Sequence, residues 1–459
     1  MKVSRREVRC KAHSIPLLRF EDQKLTSFSG LVLFQRLFSR IDFKQRLSAC
    51  FRHLKRGKVF GLQTIFVQLV VHLLMGFREL RDSRHYQDDP LVKRLLGLNR
   101  LPDTATISRT LKDADQRSVQ KLQQLLRQMV LGRIRQSLIT RITLDFDGSV
   151  QSTGKYAEGT AVGFNKKKKG ARSYYPLFCT VAQTGQVFDF LHRPGNVHDS
   201  NGAREFLAAC IQRVRAAVPW KVQIEVRMDS AFFSDEIVGE LENQGVEFSI
   251  SVPFERFTQL KQMVEGRRRW RRLNGEVAYF ESDWKPHSWN QRFRFLFIRT
   301  RSKRQRKGPV QLDLFVPHEF GYEFKVMITN KDVNAHAAVV FHEGRGAQEG
   351  LFAELKTHCH LDYVPTRRLI GNQLYLLAGL FAHNLTRELH MATTAPCRTT
   401  TPKRAALWVF PTLQTLRLTV IQRAGRLTKP QGVLTLTISA NKALKERLLQ
   451  LLAALQTAA

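Results

Sequence analysis

TRITLDFDGSV (140–150) and KVQIEVRMDS (221–230) decide the fold. Each alternates apolar and polar residues with a period of two, the pattern of a strand with two different faces. Each also ends on an aspartate followed by turn-forming small residues, Asp147-Gly148-Ser149 and Asp229-Ser230. The stretches around them fill in a succession. Tyr174–Ala182 and Gln186–His192 flank Thr184-Gly185 and read as a hairpin. Asn201–Val218 has helical periodicity, Ser234–Gln244 is a helix capped by Ser234, and Val246–Val252 is a further strand. Three strands, helix, strand, helix, strand predicts a mixed sheet: its first strands are antiparallel and its later ones are joined by crossovers.

Upstream, residues 1–135 read as helical and basic; residues 1–60 alone hold 15 Lys/Arg against 4 acids. Val59–Phe77 carries no formal charge over 19 residues, but Gln63, Gln68 and His72 interrupt it, which favours a buried core helix over a membrane span. Pro102-Asp103-Thr104 is a turn and N-cap leading into ATISRTLKDAD. With LVKRLLGLNR before it, this pair reads either as a helix-turn-helix or as part of an ordinary bundle. Downstream, residues 256–307 contain 16 Lys/Arg, 4 acids, Trp270, Trp284 and Trp289 among short β-like runs, which predicts an inserted β-rich subdomain. Helix returns at Gly346–His358 and Ile370–Met391. The basic tail holds β-like LRLTVIQ and VLTLTIS before a closing helix from Ala440. The expected units are therefore 1–135, 136–253, 254–335, 336–395 and 396–459.

The whole chain has 459 residues with 74 Lys+Arg against 39 Asp+Glu, a net charge of +35, and 43% hydrophobic residues including 31 Phe. That apolar content excludes global disorder, and the charge calls for a polyanionic partner, nucleic acid before a membrane surface. Six scattered cysteines without a CxxC argue against a disulfide scaffold and for a reducing compartment. No apolar segment of signal type follows MKVSRREVRCKAHS, so a soluble, cytoplasmic protein is expected.

The chemistry rests on acids. Asp147 and Asp229 end strands, where α/β sheets place their ligands, and Glu349 starts a helix in HEGRGAQEGLFAELK. Carboxylates gathered that closely need a cation, and an all-oxygen set suits Mg²⁺ or Mn²⁺. Two such ions can run an in-line phosphoryl displacement, with a nucleic-acid backbone as the natural substrate. Ser149 and Ser230 lack a neighbouring His in triad order, so a serine hydrolase has little support.

LDFDGSV, VRMDSAFFS and HEGRGAQEGLFAELK resemble the three catalytic blocks of DDE transposases of bacterial insertion sequences. The likeness is to the group with an RNase H-like core interrupted by a β-rich insertion and a Tyr-Arg-Glu-Lys signature. Arg345, Glu349 and Lys356 fit that signature's spacing without a gap, whereas His342 stands at the Tyr position. HRPGNVHDS (192–200) resembles another block, and the likeness spans roughly residues 83–391. The resemblance implies that Asp147, Asp229 and Glu349 bind two Mg²⁺ ions, with Mn²⁺ able to substitute. Asp145 is the rival for the first place; we expect it and Asp147 to face opposite sides of the sheet, so that only one joins. It further implies that Arg345, Lys356 and His342 contact DNA phosphates. The insertion would grip a transposon end through Arg267, Arg268, Arg269, Arg271 and Arg272, with Trp270, Trp284 or Trp289 stacking on a flipped base. Lys166 and Lys167 are either solvated or on DNA. The implied activity is metal-dependent cleavage at terminal inverted repeats and strand transfer into double-stranded target DNA, by cut-and-paste and with a hairpin as an option. The agent would be a homodimer in a synaptic complex on the bacterial nucleoid. A nuclease without strand transfer and a non-catalytic repressor are the alternatives.

Overall fold

The structure, a computed structural model, describes residues 15–54, 59–154, 156–163, 165, 168–198, 200–253, 256–302 and 321–456. After the short β1 (Leu25–Thr26) come α1 (Leu31–Arg40), α2 (Phe43–Cys50), α3 (Leu62–Met75), a 3₁₀ turn at Leu80–Tyr86, α4 (Pro90–Leu96), α5 (Thr104–Lys112) and α6 (Gln116–Gln136). Three of these helices are capped by an aspartate side chain. Asp89, Asp103 and Asp115 each accept a backbone N–H of the first turn, satisfying donors the helix cannot. α3 is the uncharged stretch, and every residue from Ile65 to Met75 is buried. Its polar residues find a partner inside the bundle: Gln68 and His72 both reach the Tyr86 hydroxyl, at 3.5 and 3.0 Å. Burial pushes the His72 pKa down to about 3, so it is neutral there. Among the described residues no helix is long and apolar enough to cross a membrane.

The central part runs β2 (Arg141–Gly148), β3 (Gln151–Ser152), β4 (Ala161–Val162), β5 (Arg172–Tyr174), β6 (Leu177–Val181), β7 (Gln186–Leu191), α7 (Ala203–Ala217), β8 (Gln223–Met228), α8 (Asp235–Asn243) and β9 (Glu247–Val252). It continues through α9 (Thr258–Glu265), β10 (Arg271–Arg272), β11 (Val277–Trp284), β12 (Phe293–Arg301), β13 (Tyr322–Thr329), α10 (Ala335–Glu343), α11 (Gly346–His358) and α12 (Leu369–Thr393). Among the described residues nine strands form one mixed sheet in the order β10-β11-β12-β13-β9-β8-β2-β6-β7. The β6–β7 hairpin lies antiparallel to β2, whereas β8 and then β9 follow parallel to it across the α7 and α8 crossovers.

The alternation in β2 and β8 separates the two faces of this sheet. Ile142, Leu144, Phe146, Ile224, Val226 and Met228 join one apolar core with residues of α7 and α8. Thr143, Asp145, Glu225 and Arg227 occupy the alternate positions and are buried as well. The strands of residues 271–329 do not stand apart from this sheet. β13 pairs with β9 from Val326↔Val252 to Thr329↔Ser249, so these strands prolong the central sheet. Phe295 and Phe297 of β12 belong to the same apolar core as Ile250 and Val252, which makes that continuation favourable.

α12 is buried throughout from Gly371 to Leu389, as expected of a helix with packing partners all round. It packs on α3, α5 and α6 and on β7, so bundle and sheet share it. Asn384 bonds both the N–H and the C=O of Val187, and Glu388 pairs with Arg133 of α6. α4 and α5 both pack within this bundle, α4 on α1 and α3, α5 on α3 and α12.

The tail forms a helical turn at Leu413–Leu416 that continues as a π-type turn at Arg417–Ile421, then β14 (Gly425–Thr428), β15 (Thr435–Ile438) and α13 (Lys442–Gln456). The β-like LRLTVIQ is thus helical. Its Arg417 is buried and donates to the carbonyls of Leu73, Leu74 and His358, where α3 and α11 end. That tertiary demand for a donor overrides the local strand pattern. β1, β14 and β15 make a small sheet in the order β1-β14-β15.

Candidate active site

Asp147 and Asp229 stand at the carboxyl ends of β2 and β8, adjacent parallel strands in which Phe146 pairs with Met228. Both carboxylates anchor their own turns: Asp147 Oδ1 accepts the Gly148 N–H at 2.8 Å, and Asp229 accepts that of Ala231 at 3.0 Å. Glu349 lies in the first turn of α11 with its side chain 68% exposed. Arg345, just before that helix, joins two of the three. Its Nη1 is 3.5 Å from Asp147 Oδ2 and its Nη2 3.6 Å from Glu349 Oε1. Lys356 follows on the same helix.

Beneath the carboxylates lies a layer of buried ion pairs. Arg227 grips Asp145 with two bonds of 2.6 and 2.7 Å, and its Nη1 also donates to the carbonyls of Phe341 and Lys403. Asp145 and Asp147 are two residues apart on one strand, so they share a face, contrary to the expectation of opposite sides. What separates their roles is Arg227, which engages both oxygens of Asp145. Gly344 joins α10 to α11 directly above this pair. A Cβ there would come within 2.0 Å of the Lys403 carbonyl oxygen and 2.1 Å of Arg227 Nη1, so the elbow requires glycine. Further along the same face Glu225 accepts from Thr143, Arg141, Lys331 and Arg404. Burial alone would raise its pKa, but the bonds from Arg404 and Lys331 outweigh that and hold it well below the usual carboxylate range.

His342 turns inward to this layer. Its Nδ1 lies 2.6 Å from Ser249 Oγ and its Nε2 2.8 Å from Ser251 Oγ, both on β9. Burial, reinforced by Arg345, Arg227 and Lys325, pushes its pKa down to about 3. A phosphate contact from this ring would have to displace a serine.

The three tryptophan candidates divide. Trp289 is a core residue, 5% exposed, stacked on Phe233 at 4.9 Å and edge-on to Phe293, and that packing leaves no face for a base. Trp284 packs edge-on against Phe257 and Phe295 and donates its N–H to Gln259. Trp270 is half-buried, with Phe280 at its edge and the Arg299 guanidinium 4.6 Å over the ring. Arg268 and Arg271 beside it are exposed. Lys166 and Lys167 lie outside the described residues. In the HRPGN block, buried Arg193 donates to the carbonyls of Tyr175, His198 and Asn201, which makes the block a packed corner.

The sequence reading missed Arg227, Gln348 and the 403–404 segment. Gln348 donates to the Asp145 carbonyl and to Thr180, fixing α11 to the sheet. Arg227 left a signal: it stands two residues before Asp229 as Asp145 stands two before Asp147, opposite charges on the same face of paired strands.

The donor set consists of carboxylate oxygens, two on strand ends and one on a helix, and fits a hard divalent cation in kind. Among the described residues no three acidic, His or Cys side chains lie close enough to hold an ion, and Arg345 stands between Asp147 and Glu349.

A family model described as Transposase DDE domain group 1 matches residues 10–459. The chain belongs to this family. Its DDE transposase membership covers the helical bundle, the nine-stranded sheet and the tail alike. Among solved structures, the piggyBac transposase synaptic complex with hairpin DNA is 12% identical, over 86% of this chain and 80% of that one, with a TM-score of 0.38. The Mos1 mariner paired-end complex with Mn is 12% identical over 47% and 68%, with a TM-score of 0.17. Likenesses that distant align no individual residue. No curated protein matches the chain.

Proposed function

We propose that this family member is the transposase of an insertion sequence, which binds the element's terminal inverted repeats and cleaves and transfers DNA strands at its ends by cut-and-paste. The observation that carries the reading is Asp147 and Asp229 on neighbouring parallel strand ends, with Glu349 linked to Asp147 through Arg345. In this reading β7-β6-β2-β8-β9 with α7 and α8 is an RNase H-like core and β10–β13 its insertion. Two Mg²⁺ ions, or Mn²⁺ in their place, held by Asp147, Asp229 and Glu349 would supply an activated oxygen nucleophile and stabilise the leaving oxygen.

The chain's own residues then position DNA. Arg345 exchanges its carboxylate partners for a phosphate beside the scissile bond, and Lys356, eleven residues on and about three turns along α11, adds a second contact. His342 holds α10 against β9 instead of reaching phosphate. Arg268, Arg271 and their neighbours neutralise the transposon-end backbone, so binding weakens as salt rises. Trp270 and Trp284 remain the candidates for a stacked base in a hairpin route. The helical bundle takes part in repeat recognition, two copies bring two ends together, and the site of action is the bacterial nucleoid.

The test is cleavage of DNA carrying the element's own repeats, with Mg²⁺ and with EDTA. Nicking at the repeat boundary should be metal-dependent and fall roughly 10³-fold, about 4 kcal/mol, in Asp229→Ala and Glu349→Ala while repeat binding persists. Cleavage without joined products would make the protein a nuclease; tight binding without cleavage under either metal would make it a repressor and remove Glu349 from catalysis.

A further inference from the structure

The small sheet β1-β14-β15 has two unusual edges. Ahead of β1, the arm IPLLRFED (15–22) holds Ile15, Leu17, Leu18 and Phe20, each between 70 and 94% exposed. Four large apolar side chains in six residues, left exposed by the described residues, are a binding surface or a liability. Beyond β15 at the opposite edge, a groove of about 780 Å³ opens between β15, α13 and α1. Val32, Leu436, Ile438, Leu448 and Leu452 line it, with Lys442 and Lys445 at its rim. β15 is also an outer strand, and no described strand pairs with its far side.

We infer that the apolar arm of one copy docks in the β15–α13 groove of a second copy, and that the exchange is reciprocal. Three features favour this occupant. Six extended residues span about 20 Å, and the 15-residue α13 is about 22 Å long, so arm and groove match in length. The arm has a net charge of −1 in a chain of charge +35: Glu21 and Asp22, offset in part by Arg19, follow Phe20 and would meet Lys442 and Lys445. The arm and the groove also lie at opposite edges of one sheet. Each copy therefore offers an arm at one edge and a receptor at the other, and a two-fold axis satisfies both at once. To fill its own groove the arm would have to double back past β14 and β15, after a turn at 21–24 already closed by the Gln23 N–H to the Glu21 carbonyl and the Lys24 N–H to Asp22. The inference deepens the two-copy part of the proposed function and gives that pairing a surface, without depending on the catalytic carboxylates.

The test uses the full chain without DNA, at high salt so that repulsion between two strongly basic copies is screened. Sedimentation should show a monomer–dimer equilibrium whose dissociation constant rises about tenfold or more in Leu17→Asp/Phe20→Asp and, separately, in Leu449→Asp on the groove wall. All three positions are exposed, so the variants should keep the parent's melting temperature. In a Cys10→Ser/Cys397→Ser background, which removes the exposed thiol among the described residues and the one five residues before the arm in sequence, mixing a Leu18→Cys chain with a Leu449→Cys chain under oxidation should give a cross-linked species of twice the mass. A monomer at every concentration overturns the inference. So does a Leu18→Cys/Leu449→Cys double variant that cross-links within one chain on dilution, since the arm then covers its own groove. Cleavage by the same arm variants at saturating DNA reports on the catalytic reading separately.

Discussion

The two faces of the central sheet are built from the same strands, yet they are held by different forces. On the α7–α8 face, Ile142, Leu144, Phe146, Val226 and Met228 pack as an ordinary apolar core. On the other, Asp145–Arg227, the cations around Glu225, and His342 between Ser249 and Ser251 fill the space with polar groups that must all be satisfied. An apolar layer would serve stability as well or better, because burying ions is expensive even when they are paired. The polar face therefore needs another justification, and its position supplies one: Arg227 holds the carbonyls of Phe341 and Lys403, and Gly344 between α10 and α11 rests against it. One face holds the sheet together, and the other carries the elbow from which Arg345 reaches Asp147 and Glu349.

Breaking each face in turn sharpens that contrast. Asp145→Asn or Arg227→Met alone leaves a buried charge uncompensated and should destabilise by about 3–5 kcal/mol in denaturant unfolding. Leu144→Ala on the apolar face should cost a similar amount, about 2–5 kcal/mol. The double variant Asp145→Leu/Arg227→Met separates them. It should recover most of the stability while cleavage per folded molecule, measured on repeat DNA, stays low. Full activity in that double variant would reduce the polar face to packing.

Gly344→Ala tests the same elbow with a single methyl group. It should cost about 1–3 kcal/mol through a clash with the Lys403 carbonyl and Arg227. It should lower cleavage more than Gly346→Ala, where nothing lies within 4 Å of the added Cβ.

The same contrast explains what could be read from the chain alone. Period-two alternation gave β2, β8 and β9 to within a residue or two, and the aspartate caps gave α5, because both are local consequences of backbone geometry. The carboxylates at the strand ends were legible for the same reason. The addition of β13 to the sheet beside β9 was not, because pairing of Val326 with Val252 joins residues 74 apart. Nor was the helix at Leu413–Ile421, whose conformation depends on Arg417 reaching carbonyls of two distant helices. Trp289 looked like its neighbours Trp270 and Trp284 because burial against Phe233 is a tertiary fact. The inward turn of His342 depended on two serines of β9, and residue spacing in the signature carries no information about them.

The smallest expected effect concerns His342, and it distinguishes a residue that positions from one that touches DNA. Its pKa is lowered from 6.5 to about 3, as are those of His72 to about 3 and of His192 and His383 to about 4. In each case the unfolded chain takes up a proton first. The stability from the neutral buried ring is therefore complete above pH 6.5 and is lost progressively as pH falls toward the folded value. The urea midpoint should drop between pH 6.5 and 4, and His342→Gln, which can still bond a serine, should flatten part of that drop. Cleavage between pH 6.5 and 8 should show no inflection that disappears in His342→Gln, because the ring is neutral across that whole range. A protonation-dependent contact with phosphate would instead make wild-type activity or repeat binding rise as pH falls through 6.5. It would place His342 with Arg345 and Lys356 at the DNA, and move it from the buried polar layer to the working surface of the site.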